Sequence, residues 1–139
     1  MKRGLLPLLC LLSSCALFQK PPRPSHASPE EAAAVEIPLA LPLEGRMVVG
    51  GVMLRAMNLA MEDYLPWDQK VPAEASPLQQ CLHRRESYEV AAAPGPEGIV
   101  FVTIIPDASA CDIGGPPVLG IGATYAIDVR GWRILSVQQ

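Results

Sequence analysis

Residues 47–66 read MVVGGVMLRAMNLAMEDYLP, and their periodicity decides what the rest of the chain has to supply. Small or polar side chains fall at Gly51, Arg55, Asn58 and Glu62, the line of one helix face, while most other positions from Met47 to Leu65 are apolar. The spacing predicts a helix with a narrow wet edge and a wide buried belt. Pro66 ends it, because the residue before a proline is pushed out of helical geometry. Its start is open between Met47 and a break at Gly50-Gly51 that leaves Met47–Val49 extended. So wide a belt requires a sheet on one side and a second cover on the other. Met53, Met57 and Met61 share one stripe, which reads as gap-filling core; an adaptable binding groove is the other reading.

The sheet is found downstream. After a long loop over 66–80, Ser87–Ala92 alternates with Tyr88 and Val90 on one face and Glu89 opposite. Ala93–Glu97 reads as a turn. Ile99–Ile105 is apolar on both faces apart from Thr103, the mark of a central strand, and Pro106 ends it for lack of an N–H. Ala123–Val129 alternates again, Arg130-Gly131 supplies a turn with its positive φ at the glycine, and Trp132–Val137 closes the chain with Trp132 in the core. The fold class is therefore α+β: one long helix packed on a four-stranded antiparallel meander, over residues 46–139. That order resembles the cystatin-like and nuclear-transport-factor-like domains, in which a helix precedes a curled sheet. The closing Tyr125-Ala126-Ile127-Asp128 and Gly131-Trp132-Arg133-Ile134-Leu135 are similar to final hairpins of such domains. The inhibitory cystatin motif Gln-x-Val-x-Gly is absent, so protease inhibition does not carry over.

Upstream, residues 15–45 form a spacer. Pro21, Pro22, Pro24, Pro29, Pro38 and Pro42 keep it extended, apart from Ser28-Pro29-Glu30-Glu31, which has the pattern of a helix start with a capping box. Met1-Lys2-Arg3 followed by the Leu-rich run to Leu12 has the layout of a secretory signal peptide, residues 1–14. Leu12-Ser13-Ser14-Cys15 resembles the bacterial lipobox. That resemblance implies cleavage before Cys15, acyl chains on Cys15 and a mature protein held at a membrane by them. Ala16, where retained inner-membrane lipoproteins carry Asp, implies the outer membrane in a Gram-negative cell. The other reading is an ordinary signal peptide with a chance cysteine.

The chain of 139 residues carries 11 basic and 14 acidic side chains, which excludes a polybasic nucleic-acid binder. Loss of residues 1–14 removes Lys2 and Arg3 and leaves a charge of −5. Cys81 and Cys111 are then the cysteines left without acyl chains. An even pair in an oxidising compartment reads as a disulfide; two free thiols or a metal half-site are the alternatives.

Few residue groups suggest chemistry. Cys81-x-His83 invites a thiolate–imidazole reading, but an oxidised cysteine has no thiolate to offer. Ser87, Ser109 and Ser136 lack a nucleophile-elbow context. Glu62 and Asp63 are adjacent on a helix and point about 100° apart, so they share no site. Gly114-Gly115-Pro116-Pro117 and Gly120-x-Gly122 lack the lysine and following helix of a phosphate loop. His26 reads as a solvated spacer residue. No cofactor is expected. Trp67 begins a Pro-punctuated loop, and it is the leading candidate for a partner contact, rimmed by Tyr64, Arg84 and Arg85 if the loop folds back toward the first strand. These features predict a non-enzymatic, lipid-tethered module of the cell envelope that binds a protein partner as a scaffold. The alternative is an immunity or inhibitor lipoprotein that neutralises a periplasmic toxin or hydrolase.

Overall fold

In the computed structural model, residues 21, 23–111 and 122–139 are described; the signal peptide, Cys15 and the Gly114–Gly120 glycines lie outside them. The chain divides between Leu39 and Ala40, and the two parts are taken separately. In the first, helix α1 covers Pro29–Ala33. Ser28 Oγ accepts from the Glu31 N–H, and the Glu31 carboxylate accepts from the Ser28 N–H at 3.0 Å, the reciprocal capping expected from the sequence.

In the second part, Gly50 is extended and helix α2 runs Gly51–Tyr64, so the break at the glycine pair is real and Met47–Val49 stay outside the helix. The apolar belt is narrower than its periodicity suggests. Ala56, Ala60, Met61 and Leu65 are buried, with Met53, Met57, Leu59 and Tyr64 packed beside them, while Val52 and Leu54 remain half exposed. The methionine stripe is thus core, and the second cover expected for the belt is not met among the described residues.

The helix is not alone, which corrects the expectation of one long helix followed by an unbroken loop. Residues 77–82 form helix α3, Pro77–Leu82, with Ser76 as N-cap. Ser76 Oγ accepts from the Gln79 N–H and the Gln79 side chain accepts from the Ser76 N–H at 2.8 Å, a second capping box with proline at its first position.

Four strands follow: β1 Tyr88–Pro94, β2 Ile99–Pro106, β3 Ala123–Asp128 and β4 Arg133–Gln138. They form one antiparallel sheet in the order β1-β2-β3-β4. Val100, Val102 and Ile104 of β2 and Ala123, Tyr125 and Ile127 of β3 turn one face to α2 and make the core with it. Gly122 has φ +145 and would place a Cβ 2.8 Å from the Ile104 carbonyl oxygen, so the start of β3 admits no side chain there. The last hairpin departs from expectation. Positive φ falls on Trp132 (φ 52) and not on Gly131. Asp128 fills the turn instead, accepting from the Arg130 N–H at 3.0 Å, which holds its carboxyl below the usual range, with Arg133 Nε at 3.3 Å adding to the effect. Trp132 is half-buried, packed on the core with the Arg55 guanidinium 3.9 Å from its ring centre. A bulge at Leu135 shifts the β3–β4 register between Ala126 and Ile127.

Ala56 and Ala60 have no exposed surface and belong to the core that α2 shares with the sheet, so a larger side chain at either has no solvent to turn to. Ala60→Leu should destabilise the domain by about 1–3 kcal/mol through overpacking, whereas the same change at half-exposed Val52 should cost under about 0.5 kcal/mol. Thermal unfolding of the two variants checks the contrast.

The disulfide gives a second expectation. Cys81 and Cys111 are bonded, closing a loop of sequence separation 30 between α3 and the exit of β2. Chain entropy assigns such a loop roughly 3–4 kcal/mol. The Cys81→Ser, Cys111→Ser double variant should therefore melt on the order of 12 °C or more below the parent. Amide exchange should then rise first in residues 106–111, which the bridge anchors.

Candidate functional site

The C-terminal end of α2 is where the sequence-predicted residues gather. The helix has no basic residue in its last turn to offset its dipole or its free carbonyls. Arg85, twenty residues on, supplies one. Its Nε and Nη2 donate to the Leu65 carbonyl at 3.2 and 2.9 Å, and Nη2 also meets the Glu62 carboxylate at 2.9 Å. This fork folds the 66–80 segment back upon itself, so that Trp67 and Arg84, distant in sequence, border the same depression.

That depression is a shallow cleft of about 380 Å³, bordered by Trp67, Gln69, His83, Arg84, Arg85 and Glu86. Trp67 is 38% exposed there. A neighbouring cleft of about 250 Å³ shares Leu65, Gln69 and His83 and adds Tyr64, Gln79, Leu82 and Tyr88. Trp67, Arg84 and Arg85 thus meet in one cleft and Tyr64 in the adjoining one. The walls are rigid. Tyr64 and Tyr88 stack edge to face with ring centres 5.3 Å apart, and the Tyr88 hydroxyl donates to the Leu82 carbonyl at 2.7 Å. His83 caps α3, with Nδ1 2.7 Å from the Gln79 carbonyl. Ser87, next in the chain to Glu86, is buried and donates to the Cys81 carbonyl at 2.7 Å, while the Asp107 N–H donates to the Ser87 carbonyl at 2.9 Å. The disulfide, Ser87 and the end of β2 are therefore tied to one another next to the chain segment that borders the cleft.

Sequence reasoning missed His83, Tyr88, Gln69 and Gln79 as cleft residues. The signal available was Ser76-Pro77-x-Gln79, the same form of helix start that is legible at Ser28; with α3 placed, His83 follows as its cap. Glu62 and Asp63 do point apart: Glu62 meets Arg85, and Asp63 accepts from the Tyr125 hydroxyl at 3.1 Å. Cys81 is held in its disulfide and offers no thiolate. Among the described residues, no group of three or more metal-ligating side chains comes together, and no helix is long and apolar enough to cross a membrane.

Two tyrosines report on this region through their acidity. Burial, with Tyr64 beside it, pushes the Tyr88 hydroxyl up to about 12. Burial, with the Asp63 carboxylate beside it, does the same for Tyr125, also to about 12. Each folded-state value lies above the ordinary value near 10, so the fold favours the neutral phenol. The stability this contributes is complete below about pH 10 and is lost as pH rises toward 12. A phenolate absorbance titration should show Tyr88 and Tyr125 ionising above the ordinary value near 10, and Tyr125→Phe should flatten the loss of stability above pH 10.

No protein family matches the chain, nor does any curated protein or solved structure, so the site is interpreted from its own geometry.

Proposed function

We propose that the chain is a lipid-anchored protein of the bacterial cell envelope, at the outer membrane of a Gram-negative cell, whose domain binds a protein partner and catalyses no reaction. The observation that supports the reading best is the cleft at the end of α2. There a part-exposed indole and two arginines meet beside a tyrosine-lined extension, and the disulfide holds Cys81, two residues before the lining residue His83. Large aromatic and arginine side chains held on a rigid support are what protein interfaces use as energetic anchors. A shallow, open cleft suits an extended segment or loop of a partner better than a small enclosed substrate. Arg85 is held by Glu62 and the Leu65 carbonyl, so Arg84 is the cation beside Trp67 that a carboxylate on a partner surface would meet, with Glu86 at the same border. The N-terminal Cys15 supplies the membrane partner through its acyl chains, and residues 15–45 supply reach.

Two substitutions test the two halves of the proposal. Cys15→Ser should remove the acyl mass and release the chain from the outer-membrane fraction or leave an unprocessed precursor. Trp67→Ala should keep fractionation and melting temperature near those of the parent yet lose the partners that co-purify with the wild type. Loss of about 3–5 kcal/mol of stability with unchanged binding would instead assign Trp67 to the core and remove the interface.

A further inference from the structure

The chain enters α2 through Arg46-Met47-Val48-Val49-Gly50-Gly51-Val52. Met47 and Val48 are 85% and 83% exposed, and Val49 and Val52 are 41% and 50% exposed. All four lie before or within the first turn of the helix, so their uncovered apolar surface belongs to one tip of the domain.

What else stands at that tip follows from the packing. The Arg55 guanidinium lies over the Trp132 ring, which brings the β3–β4 turn to the opening turns of α2. The β1–β2 turn is tied to the same place. There the Val129 N–H donates to the Gly98 carbonyl at 3.0 Å, and the Arg130 guanidinium donates to the Glu97 carbonyl. This end of the domain therefore holds Arg46, Arg55, Arg130 and Arg133 against Glu44, Glu97 and Asp128. Of those carboxylates, Asp128 is already engaged with Arg133 and with the Arg130 N–H. The opposite end is where the last turn of α2 meets the start of β1 and the end of β2. It carries Glu62, Asp63, Glu86, Glu89 and Asp107 against Arg84 and Arg85. The acidic excess thus lies at the end with the cleft, and the apolar tip is slightly basic.

Uncovered apolar side chains bordered by arginines match the surface of an anionic bilayer. The apolar groups enter the headgroup boundary and the guanidinium groups meet lipid phosphates. The chain also leads back toward Cys15 from this tip, and acyl chains there keep a bilayer within reach. We infer that the Met47–Val52 tip docks on the bilayer in which Cys15 is anchored, as a second, non-covalent membrane contact. The inference rests on the lipid-anchor reading for its bilayer and adds an orientation to it. Helix α2 has 14 residues and a length of about 21 Å, so it stands the Trp67–Arg84 cleft off from the lipid. The acidic far end is repelled by the same surface, which keeps the cleft turned away from it.

The test uses the full chain as purified from membranes, in vesicles of phosphatidylethanolamine and phosphatidylglycerol. Val48→Cys and Glu86→Cys are each labelled with a solvent-sensitive dye, and the parent treated in the same way is the blank. Intact mass reads the acylation of Cys15 separately. The dye at position 48 should emit at shorter wavelength and lose most of its emission to brominated acyl chains. The dye at position 86 should be reached by aqueous acrylamide and not by bromolipid. Met47→Asp should abolish most of the bromolipid quenching at position 48 without moving the melting temperature. Exchange of phosphatidylglycerol for phosphatidylcholine should weaken it. In an acylated chain, a dye at position 48 open to acrylamide and untouched by bromolipid overturns the docking and leaves the anchor standing. Shielding from both quenchers sets protein against the tip and overturns it as well, as does equal quenching at positions 48 and 86. A chain without acyl mass removes the anchor instead; quenching at position 48 by added vesicles then still supports the docking, and its absence overturns it.

Discussion

One helix packed on one face of one sheet carries the whole domain. On the helix side the core holds Ala56, Ala60 and Met61, with Leu65 just beyond the last turn, and on the sheet side Val100, Val102, Ile104, Ala123, Tyr125 and Ile127. Close packing of this kind gains dispersion contacts and leaves no room for adjustment. It also sets the position of everything after α2. The helix must stop at Leu65 because Pro66 follows, its last carbonyls must find a donor, and Arg85 provides it by drawing the following segment back against the helix end. The cleft bordered by Trp67 and Arg84 exists because of that requirement.

Two layers leave two surfaces without a partner among the described residues. The sheet face away from α2 carries Phe101 and Ile105, both exposed, around a Thr103–Thr124 hydroxyl pair at 3.1 Å. Such a face is tolerable in an antiparallel sheet, where polar and small residues such as Ala91, Ala93, Thr124 and Ser136 dilute the apolar ones. The half-exposed Val52 and Leu54 on α2 are the counterpart on the other side. Small domains lack the volume to cover every apolar side chain, and here the disulfide at one end of the sheet compensates for the limited core.

The α+β class, the four strands and the residues of the core-facing rows were legible in the sequence, because period two and period 3.6 are direct imprints of burial. Ile99–Ile105 read as central and is central; Pro106 and Pro66 end their elements where expected. Failures fall where burial is not the governing force. Helix α3 is held by capping bonds and proline placement, has no buried residue, and leaves no hydrophobic period to detect. The belt on α2 was read too wide, since apolar side chains at Val52 and Leu54 mark propensity for burial and not its achievement. The left-handed residue of the last turn is Trp132 because its ring is committed to Arg55 and the core, a tertiary demand that local turn chemistry at Gly131 does not express. For the candidate site, Trp67, Tyr64, Arg84 and Arg85 were legible as types and positions; the bond from Arg85 to Leu65 that assembles them is long-range and was not.

The connectivity of the sheet has a kinetic side. β1–β2 and β3–β4 are joined by tight turns and can form locally, whereas β2 and β3 are separated by the stretch from Pro106 to Ala123. Closing that stretch is the non-local step, and its entropy must be met before the central pairing rewards it. Cys111 lies within it, a few residues after β2, and its bond to Cys81 fixes the near end of the connection against α3. Oxidation before β2 and β3 pair would shorten the search for the register, while a chain kept reduced would hold two finished hairpins waiting on each other. The compartment that permits the bond thereby also sets the pace at which the two halves of the sheet become one.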